Sequence, residues 1–298
     1  DCPYGQRLLE EIPTQVRGLT FGEGAENDFR VHDISLSAEG SEFVMDCPAG
    51  SLVVRSPMLG RYNVMNVAAV MAIVHAVGFS VSKVAHKVGT FNGVDGRMET
   101  VERGQRYKVL VDYAHTPDAL RNALGMLREF TSGKLHLVFG CGGDRDKNKR
   151  SQMGKIANKF CQKIYLTDDN PRYENPKKIR MDIKKTINKN KLFEISNREK
   201  AIFAAIENLN SGEILLVAGK GHEENQDYGK YIRKFSDKKI ILKFIEKKNK
   251  YLSKNWKVNI LNEQFNNRIN INSKINKASI NSKEIKKNDI FFAIKGKK

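Results

Sequence analysis

Four short segments of this 298-residue chain carry side chains that can bind or transfer charge, and two of the segments also contain glycines. They are residues 112–115, 140–145, 168–172 and 219–223. Glycines let a backbone approach a ligand closely, and an adjoining arginine can bind a carboxylate or a phosphate through two parallel hydrogen bonds. The third segment places Asp and Asn acceptors beside an Arg cation. Such a set suits a zwitterion that carries both an ammonium and a carboxylate group.

Each segment also has a simpler interpretation. Residues 140–145 could form a tight strand-to-helix turn with solvated charges, residues 168–172 an Asn-Pro turn, and residues 219–223 an ordinary loop. His115 is either a general base or a neighbour of a helix start. The glycines do not match the G-x-G-x-x-G pattern, and the chain contains no G-x-x-x-x-G-K-[ST] loop. An ATP-dependent reaction would therefore need residues outside this chain to hold the triphosphate.

The elements that must position these segments alternate between strand and helix. Beyond residue 107, the predicted strands are 109–113, 135–139, 163–167 and 214–218, and the predicted helices are 117–130, 152–160, 178–188 and 198–208. This alternation predicts βαβ units and a mostly parallel sheet with flanking helices. Since ligands bind at the carboxyl ends of the strands in such sheets, we expect the four segments at one edge of the sheet.

The first part of the chain follows a different pattern. Residues 1–60 consist of short apolar runs between Gly, Pro and Asp, which predicts strands joined by turns. Apolar residues at helical spacing predict a helix from Asn63 to Val77, and a second helix follows from Ser80 through Val88. The fold class predicted for the chain is α/β.

Charge and composition restrict the possible partners. Residues 243–298 hold 15 basic and 4 acidic side chains, so most of the net charge of +18 lies in an Asn-rich and Lys-rich tail. Without a basic face interleaved with aromatic residues we expect no nucleic-acid partner, although the basic tail leaves that alternative open. No apolar run approaches the ~18 residues of a membrane span, so we expect no membrane insertion. Four widely spaced cysteines fit a cytoplasmic protein.

Taken together and in this order, the motifs resemble those of the Mur ligases. They are GRYNVMN at 60–66, GRME at 96–99, DYAHTP at 112–117, GCGGDRD at 140–146, DDNPR at 168–172 and GKGHE at 219–223. The resemblance runs from Asp1 to about Lys239. It implies an incomplete α/β central, ATP-binding domain over residues 1–95 and a Rossmann-like, amino-acid-binding C-terminal domain over residues 96–242.

The resemblance implies an ATP-dependent ligase of peptidoglycan precursor synthesis. In that family ATP phosphorylates a carboxylate of UDP-MurNAc-L-Ala-D-Glu, and the amine of an incoming amino acid attacks the acyl phosphate, with Mg²⁺ stabilising the charge that develops. Arg172 is typical of the branch that adds meso-diaminopimelate, whose distal carboxylate lysine lacks. The alternatives are a lysine-adding or folylpolyglutamate-type relative, and an amino-acid-binding module without catalysis.

The resemblance also implies roles for individual residues. The residues expected to bind meso-diaminopimelate are Arg145, Asp169, Asn170, Pro171, Arg172, Gly219 and Glu223. The residues expected on the nucleotide side are Asn66, Arg97 and Asp112, and His115 is the candidate catalytic residue. The family's UDP-binding domain, phosphate-binding loop, Mg²⁺ ligands and carbamylated lysine would all precede Asp1. We therefore expect a fragment that holds no metal itself and is inactive alone.

The tail carries a second resemblance. Residues 278–285 and 288–296 are similar to the opening of MurF, another Mur ligase, although Asn281-Ser282-Lys283 stands where that family usually has Asp-Ser-Arg. Residues 243–298 are accordingly predicted to be a basic linker followed by the start of a covalently fused MurF-like domain. The alternative is a Lys-rich and Asn-rich tail that contains one strand.

Overall fold

The computed structural model describes residues 2–129, 131–249, 278–279 and 290–291. It divides into two compact units, Asp1–Leu242 and Lys243–Lys298. Within the described residues, no helix combines the length and the apolar character needed to cross a membrane.

The first unit begins with a helix that the sequence did not predict. Helix α1 spans Pro3–Glu11, where only short strands were expected. Pro3 occupies the first helical position, and the Cys2 Sγ atom accepts a hydrogen bond of 3.3 Å from the Gly5 backbone N–H. None of its residues is buried. The helix therefore depends on its cap and on good helix formers rather than on an apolar face.

A four-stranded sheet follows, as the turn-rich sequence predicts. Its strands are β1 (Phe21–Gly22), β2 (Phe29–Ser37), β3 (Gly40–Cys47) and β4 (Gly50–Ser56), in that spatial order. Strands β2 to β4 form an antiparallel meander, and β1 pairs with β2 in parallel. Helices α2 (Arg61–Ala76) and α3 (Val81–Val88) complete a small apolar core with β2, β3 and β4. Ser80 caps α3, as predicted.

A six-stranded sheet forms the rest of the first unit. Its strands are β5 (Glu99–Thr100), β6 (Lys108–Asp112), β7 (Leu135–Phe139), β8 (Lys163–Leu166), β9 (Leu192–Glu194) and β10 (Ile214–Ala218). They lie in the order β5-β6-β10-β7-β8-β9, and all pairs are parallel except β5 with β6. The predicted α/β class with a mostly parallel sheet is confirmed.

Helices cover this sheet and fix where its loops emerge. They are α4 (Pro117–Glu129), α5 (Asn148–Phe160), α6 (Pro176–Lys184) and α7 (Arg198–Glu207). A hairpin of β11 (Asn225–Asp227) and β12 (Ile232–Lys234) follows β10, and helix α8 spans residues 237–249. Two predicted helix bounds are wrong. Helix α5 begins four residues before Gln152, and α6 ends at Lys184 because the Asn188 side chain caps a separate 3-10 turn, Lys189–Lys191.

The second unit contributes one pair of short strands. Strand β13 (Ala278–Ser279) pairs in parallel with β14 (Ile290–Phe291). Apart from these four residues, the segment that resembles MurF lies outside the described residues. The fused MurF-like domain therefore stays a prediction.

Candidate functional site

The carboxyl edge of the six-stranded sheet surrounds a cavity of about 600 Å³. All four segments that carry the chemistry reach it, as their positions after successive strands predict. The residues of these segments that line it are Tyr113, His115, Gly142, Arg145, Asp169, Asn170, Arg172, Gly219 and Glu223. A cavity of this size accommodates a small molecule. The four segments therefore surround one cavity at the edge of the sheet where they were expected.

Two arginines of this cavity, Arg145 and Arg172, both lie close to Gly142. A side-chain Cβ at Gly142 would stand 2.9 Å from Arg172 Nη1 and 3.9 Å from Arg145 Cγ. Arg172 Nη1 donates a hydrogen bond of 2.9 Å to the carbonyl oxygen of Gly143, whereas Arg145 is exposed and donates to its neighbour Asp144. Arg172 Nε also lies 3.7 Å from Asp227 Oδ2, so Arg172 already has an anionic partner, whereas the exposed Arg145 guanidinium is available for an anionic group.

The two loops that carry these arginines are fastened to each other. The Gly143 backbone N–H donates a hydrogen bond of 2.9 Å to the Asn170 carbonyl oxygen. A Cβ at Gly143 would clash with the buried Pro171 carbonyl, so only glycine allows this approach. The Tyr173 N–H donates to Asp144 Oδ2 at 3.1 Å. These contacts set the separation of the two guanidinium groups.

An ion pair beneath the same loops strengthens this connection. Fully buried Arg150 donates from Nη1 and Nη2 to the two carboxylate oxygens of Glu174, each at 2.7 Å. Glu174 Oε2 also accepts a hydrogen bond of 3.2 Å from the Asp144 backbone N–H. The hydrogen bonds from Arg150 lower the pKa of Glu174 to about 2. The carboxylate is therefore charged throughout the neutral range.

Asn170 and Glu223 contribute hydrogen-bond acceptors to the wall of the same cavity. Asn170 Nδ2 donates to Glu223 Oε2 at 2.9 Å, and Asn170 Oδ1 accepts from Lys220 Nζ at 2.9 Å and from the Asp227 N–H at 3.0 Å. Lys220 Nζ also donates to Glu223 Oε2 at 2.8 Å. Burial raises the pKa of Glu223, but hydrogen bonds from Lys220 and Asn170 outweigh it and hold the pKa below its usual value.

Asp169 places a second carboxylate beside Gly219. A Cβ at Gly219 would lie 2.6 Å from Asp169 Oδ2, and Gly219 has a φ of +115° that favours glycine. Oδ2 is buried, makes no hydrogen bond within the described residues and lies 3.8 Å from Arg198 Nη1. Arg198 in turn forms a fully buried ion pair with Asp237. The preceding Asp168 pairs with Arg180 and does not line the cavity.

His115 reaches the same cavity from the end of β6. Its Nδ1 lies 2.8 Å from the Tyr113 carbonyl oxygen. Because a carbonyl can only accept, the neutral ring carries its proton on Nδ1 and keeps a lone pair on Nε2. The Lys149 ammonium donates to the His115 carbonyl at 2.9 Å and holds this loop to α5. The geometry allows His115 to accept a proton through Nε2.

Two of the three residues expected on the nucleotide side lie close together. Asp112 is buried, and its carboxylate accepts hydrogen bonds of 2.8 Å from the N–H groups of Met98 and Ala114. Burial raises the pKa of Asp112, and those N–H groups and Arg97 partly offset it. The exposed Arg97 guanidinium lies 4.6 Å from the centre of the Tyr113 ring. Tyr113 therefore separates these groups from the amino-acid cavity.

The third of these residues, Asn66, lies farther away. Arg97 and Asn63 line a second cavity of about 820 Å³ between the two sheets, which neither Asn66 nor Asp112 lines. Asn66 is exposed on α2 and donates to Asn63 Oδ1 at 3.2 Å. Within the described residues, no three His, Cys, Asp or Glu side chains come together as a metal site.

Sequence reasoning missed Lys220, Arg150 and Glu174. Hydropathy places lysine and arginine at the surface, whereas both cations are completely buried here. Arg150 pairs with Glu174 and Lys220 with Asn170, both distant in sequence, although Lys220 also donates to the nearby Glu223. The one available signal was the position of Lys220 between two glycines in the fourth segment.

The fold and the cavity define a doubly wound α/β domain with charged side chains around a cavity at the carboxyl edge of its sheet. Two family models match the chain: the Mur ligase middle domain over residues 1–74 and the Mur ligase glutamate ligase domain over residues 96–221. The chain belongs to the Mur ligase family.

Several of the similar proteins carry the name UDP-N-acetylmuramoyl-L-alanyl-D-glutamate–2,6-diaminopimelate ligase. That of Bacillus velezensis is 40% identical over 240 residues, covering 80% of this chain and 49% of the relative. That of Thermosynechococcus vestitus is 41% identical over 241 residues, covering 80% and 48%. A solved structure of a ligase with this name aligns with a TM-score of 0.60 and 34% identity, over 82% of this chain and 50% of its own. The chain thus spans about half the length of its relatives.

Proposed function

We propose that this chain supplies the amino-acid-binding half of an ATP-dependent ligase that adds meso-diaminopimelate to UDP-MurNAc-L-Ala-D-Glu. The observation that carries the proposal is the single cavity that joins Arg145 and Arg172 to Asp169 and Glu223. Meso-diaminopimelate has an ammonium and a carboxylate at each end, so both signs of charge in one cavity match it. The names of the relatives at about 40% identity support the same substrate.

The reaction requires an activated carboxylate, because a free carboxylate is a poor electrophile. In the proposed sequence, the γ-carboxylate of D-Glu receives the terminal phosphoryl group of ATP. The diaminopimelate amine then attacks the acyl carbon, a C–N bond forms, and the C–O bond to phosphate breaks with its electron pair leaving on phosphate. The amine binds as an ammonium and must lose a proton first. His115 Nε2 is the base we assign to this step.

Residues 96–242 form the amino-acid-binding domain of the proposed ligase, and residues 1–95 belong to its central domain. Arg97 and Asp112 fit the nucleoside end of ATP, since an exposed guanidinium lies near a carboxylate that backbone N–H groups hold in place. Asn66 would approach from α2. The chain has no phosphate-binding loop, and Mg²⁺ with the triphosphate would be held by other parts of the ligase. We place the reaction in the cytoplasm.

Arg172 favours meso-diaminopimelate over lysine. Lysine lacks the distal carboxylate, so a guanidinium at that end of the cavity would gain nothing from it. The same argument disfavours the lysine-adding alternative. An amino-acid-binding module without catalysis would share the cavity and differ in having no ATP-dependent activity.

Isothermal titration of the full 298-residue chain tests the proposal. We expect meso-diaminopimelate to bind at least about tenfold more tightly than L-lysine, a difference of about 1.4 kcal/mol. Arg172→Ala should abolish that difference and leave lysine binding unchanged. Arg121→Ala is the matched control, because Arg121 is exposed on α4 and, among the residues that the structure describes, pairs with Asp118 alone. Equal affinity for both amino acids, or no binding of either, would refute the assignment.

A further inference from the structure

Lys220 is a fully buried cation directly behind the acceptor side of the cavity. Its side chain has no solvent exposure, and its ammonium donates to Asn170 Oδ1 at 2.9 Å and to Glu223 Oε2 at 2.8 Å. A buried charge is costly unless it is paired and hydrogen-bonded. Lys220 does not line the cavity, so it does not contact a ligand directly.

The hydrogen bonds of Lys220 determine the orientation of the Asn170 amide. Both Lys220 Nζ and the Asp227 backbone N–H are donors, so the atom they reach must be the oxygen. The amide nitrogen is thereby directed at Glu223, to which it donates at 2.9 Å. One N–H of the Asn170 amide remains for a ligand.

The same ammonium determines which oxygen of Glu223 is free. Oε2 accepts from both Lys220 and Asn170, whereas Oε1 has no hydrogen-bond partner within the described residues. The Glu223 side chain is 31% exposed and lines the cavity. Oε1 is therefore the acceptor that a ligand ammonium can use.

We infer that Lys220 is a positioning residue of the amino-acid site, which fixes the Asn170 amide and the Glu223 carboxylate so that Oε1 faces the ammonium group of the ligand. This inference rests on the proposed function. It assigns Lys220 a role in affinity that depends on its positive charge, not only on filling space.

Removing the charge should make ligand binding at the site depend more strongly on pH. Burial raises the pKa of Glu223, and Lys220 is the first of the groups that counteract it. Without Lys220, Glu223 should become protonated as the pH falls and lose its affinity for an ammonium. All variants keep the other charged or titratable residues around Glu223 unchanged. These residues are Asp169, Arg198, Asp227, His115, His222, Arg145, Arg172 and Lys149.

The test titrates meso-diaminopimelate into the full chain at pH 8, 7, 6 and 5. We expect Lys220→Met to weaken binding about tenfold at pH 8 and further as the pH falls, relative to the unsubstituted chain. Lys220→Gln, which keeps an N–H donor but no charge, should bind better than Lys220→Met at pH 8 and lose affinity at low pH in the same way. Lys155→Met, at an exposed position of α5, is the control.

Each outcome has one interpretation. Binding by Lys220→Met that equals the unsubstituted chain, or that is weaker by the same factor at every pH, would overturn the positioning role and leave the proposed function standing. Failure of the folded, unsubstituted chain to bind would overturn the proposed function, and this inference with it. Loss of the thermal unfolding transition in both Lys220 variants would assign the residue to fold stability and also overturn the inference.

Discussion

Arg150 and Glu174 form a bidentate ion pair that joins helix α5 to the loop of Arg172. Because Glu174 also accepts the Asp144 N–H, the pair connects the loops of both site arginines. Glu174→Gln removes one acceptor oxygen and one of the two carboxylate charges that balance buried Arg150, the other being Asp182, whose Oδ2 lies 3.2 Å from Arg150 Nη1. We expect the free energy of unfolding to fall by about 1.5–3 kcal/mol, as for hydrogen bonds to charged groups. Urea denaturation measures this change.

The control for Glu174→Gln is Asp118→Asn. Asp118 pairs with Arg121 at 2.8 Å, but both side chains are mostly exposed. Exposed pairs contribute about 0–1 kcal/mol, so this variant should be nearly neutral. Similar losses in the two variants would show that the Arg150–Glu174 pair contributes no more than a surface contact.

Two glycine substitutions should distinguish the effect of disturbing the contact between the two site loops from the general effect of adding a methyl group to the backbone. Gly143→Ala would place a methyl group against the Pro171 carbonyl and force the two loops apart. We expect weaker meso-diaminopimelate binding and lower stability. Gly125→Ala, within α4 where a Cβ would meet nothing within 4 Å, should instead stabilise the chain by about 0.5–1 kcal/mol. Thermal unfolding and isothermal titration of both variants test the contrast, and unimpaired binding by Gly143→Ala would contradict it.

Acid should destabilise the fold through His136. Burial lowers the pKa of this histidine to about 4, although Glu213 lies 3.3 Å away and opposes the shift. Between pH 6.5 and 4 the unfolded chain takes up a proton that the folded chain does not, so stability is present above this window and is lost as the pH falls through it. Urea denaturation from pH 7 to pH 4 should show a shallower dependence for His136→Gln.

The exposed His86 provides the matched control for this titration. His86→Gln should leave the pH dependence of unfolding unchanged, because the His86 side chain is exposed to solvent in the folded chain. If His136→Gln shows the same slope as the unsubstituted chain, other groups are responsible for acid sensitivity.

The four cysteines should divide into two classes of reactivity. Burial raises the pKa of the Cys141 and Cys161 thiols to about 12, whereas Cys2 is exposed and Cys47 half-buried. Because the thiolate is the nucleophile, iodoacetamide at pH 8 should modify Cys2 and Cys47 alone. Mass spectrometry locates the adducts, and urea should expose the other two. Modification of Cys141 in the folded chain would contradict its burial.

The sequence predicts the sheet and its chemical edge because both depend on local patterns. Strands β7 and β10 have the predicted bounds, since short apolar runs next to glycines have few other conformations. Helix α1 was missed because no side chain in it is buried, so it has no core-facing pattern. Arg150 and Lys220 were missed as buried cations because Glu174 and Asn170, which they bind, are distant in sequence, and the nearby Glu223 alone does not predict that Lys220 is buried.

The position of β10 affects how this domain is made. It lies between β6 and β7, which have no hydrogen bonds with each other, yet it is the last strand of the sheet to be synthesised. Until residues 214–218 leave the ribosome, the centre of the sheet is missing and two apolar strand edges lack a partner. Cotranslational folding of this sheet therefore has to wait for β10, and a chain that stops before residue 214 should aggregate.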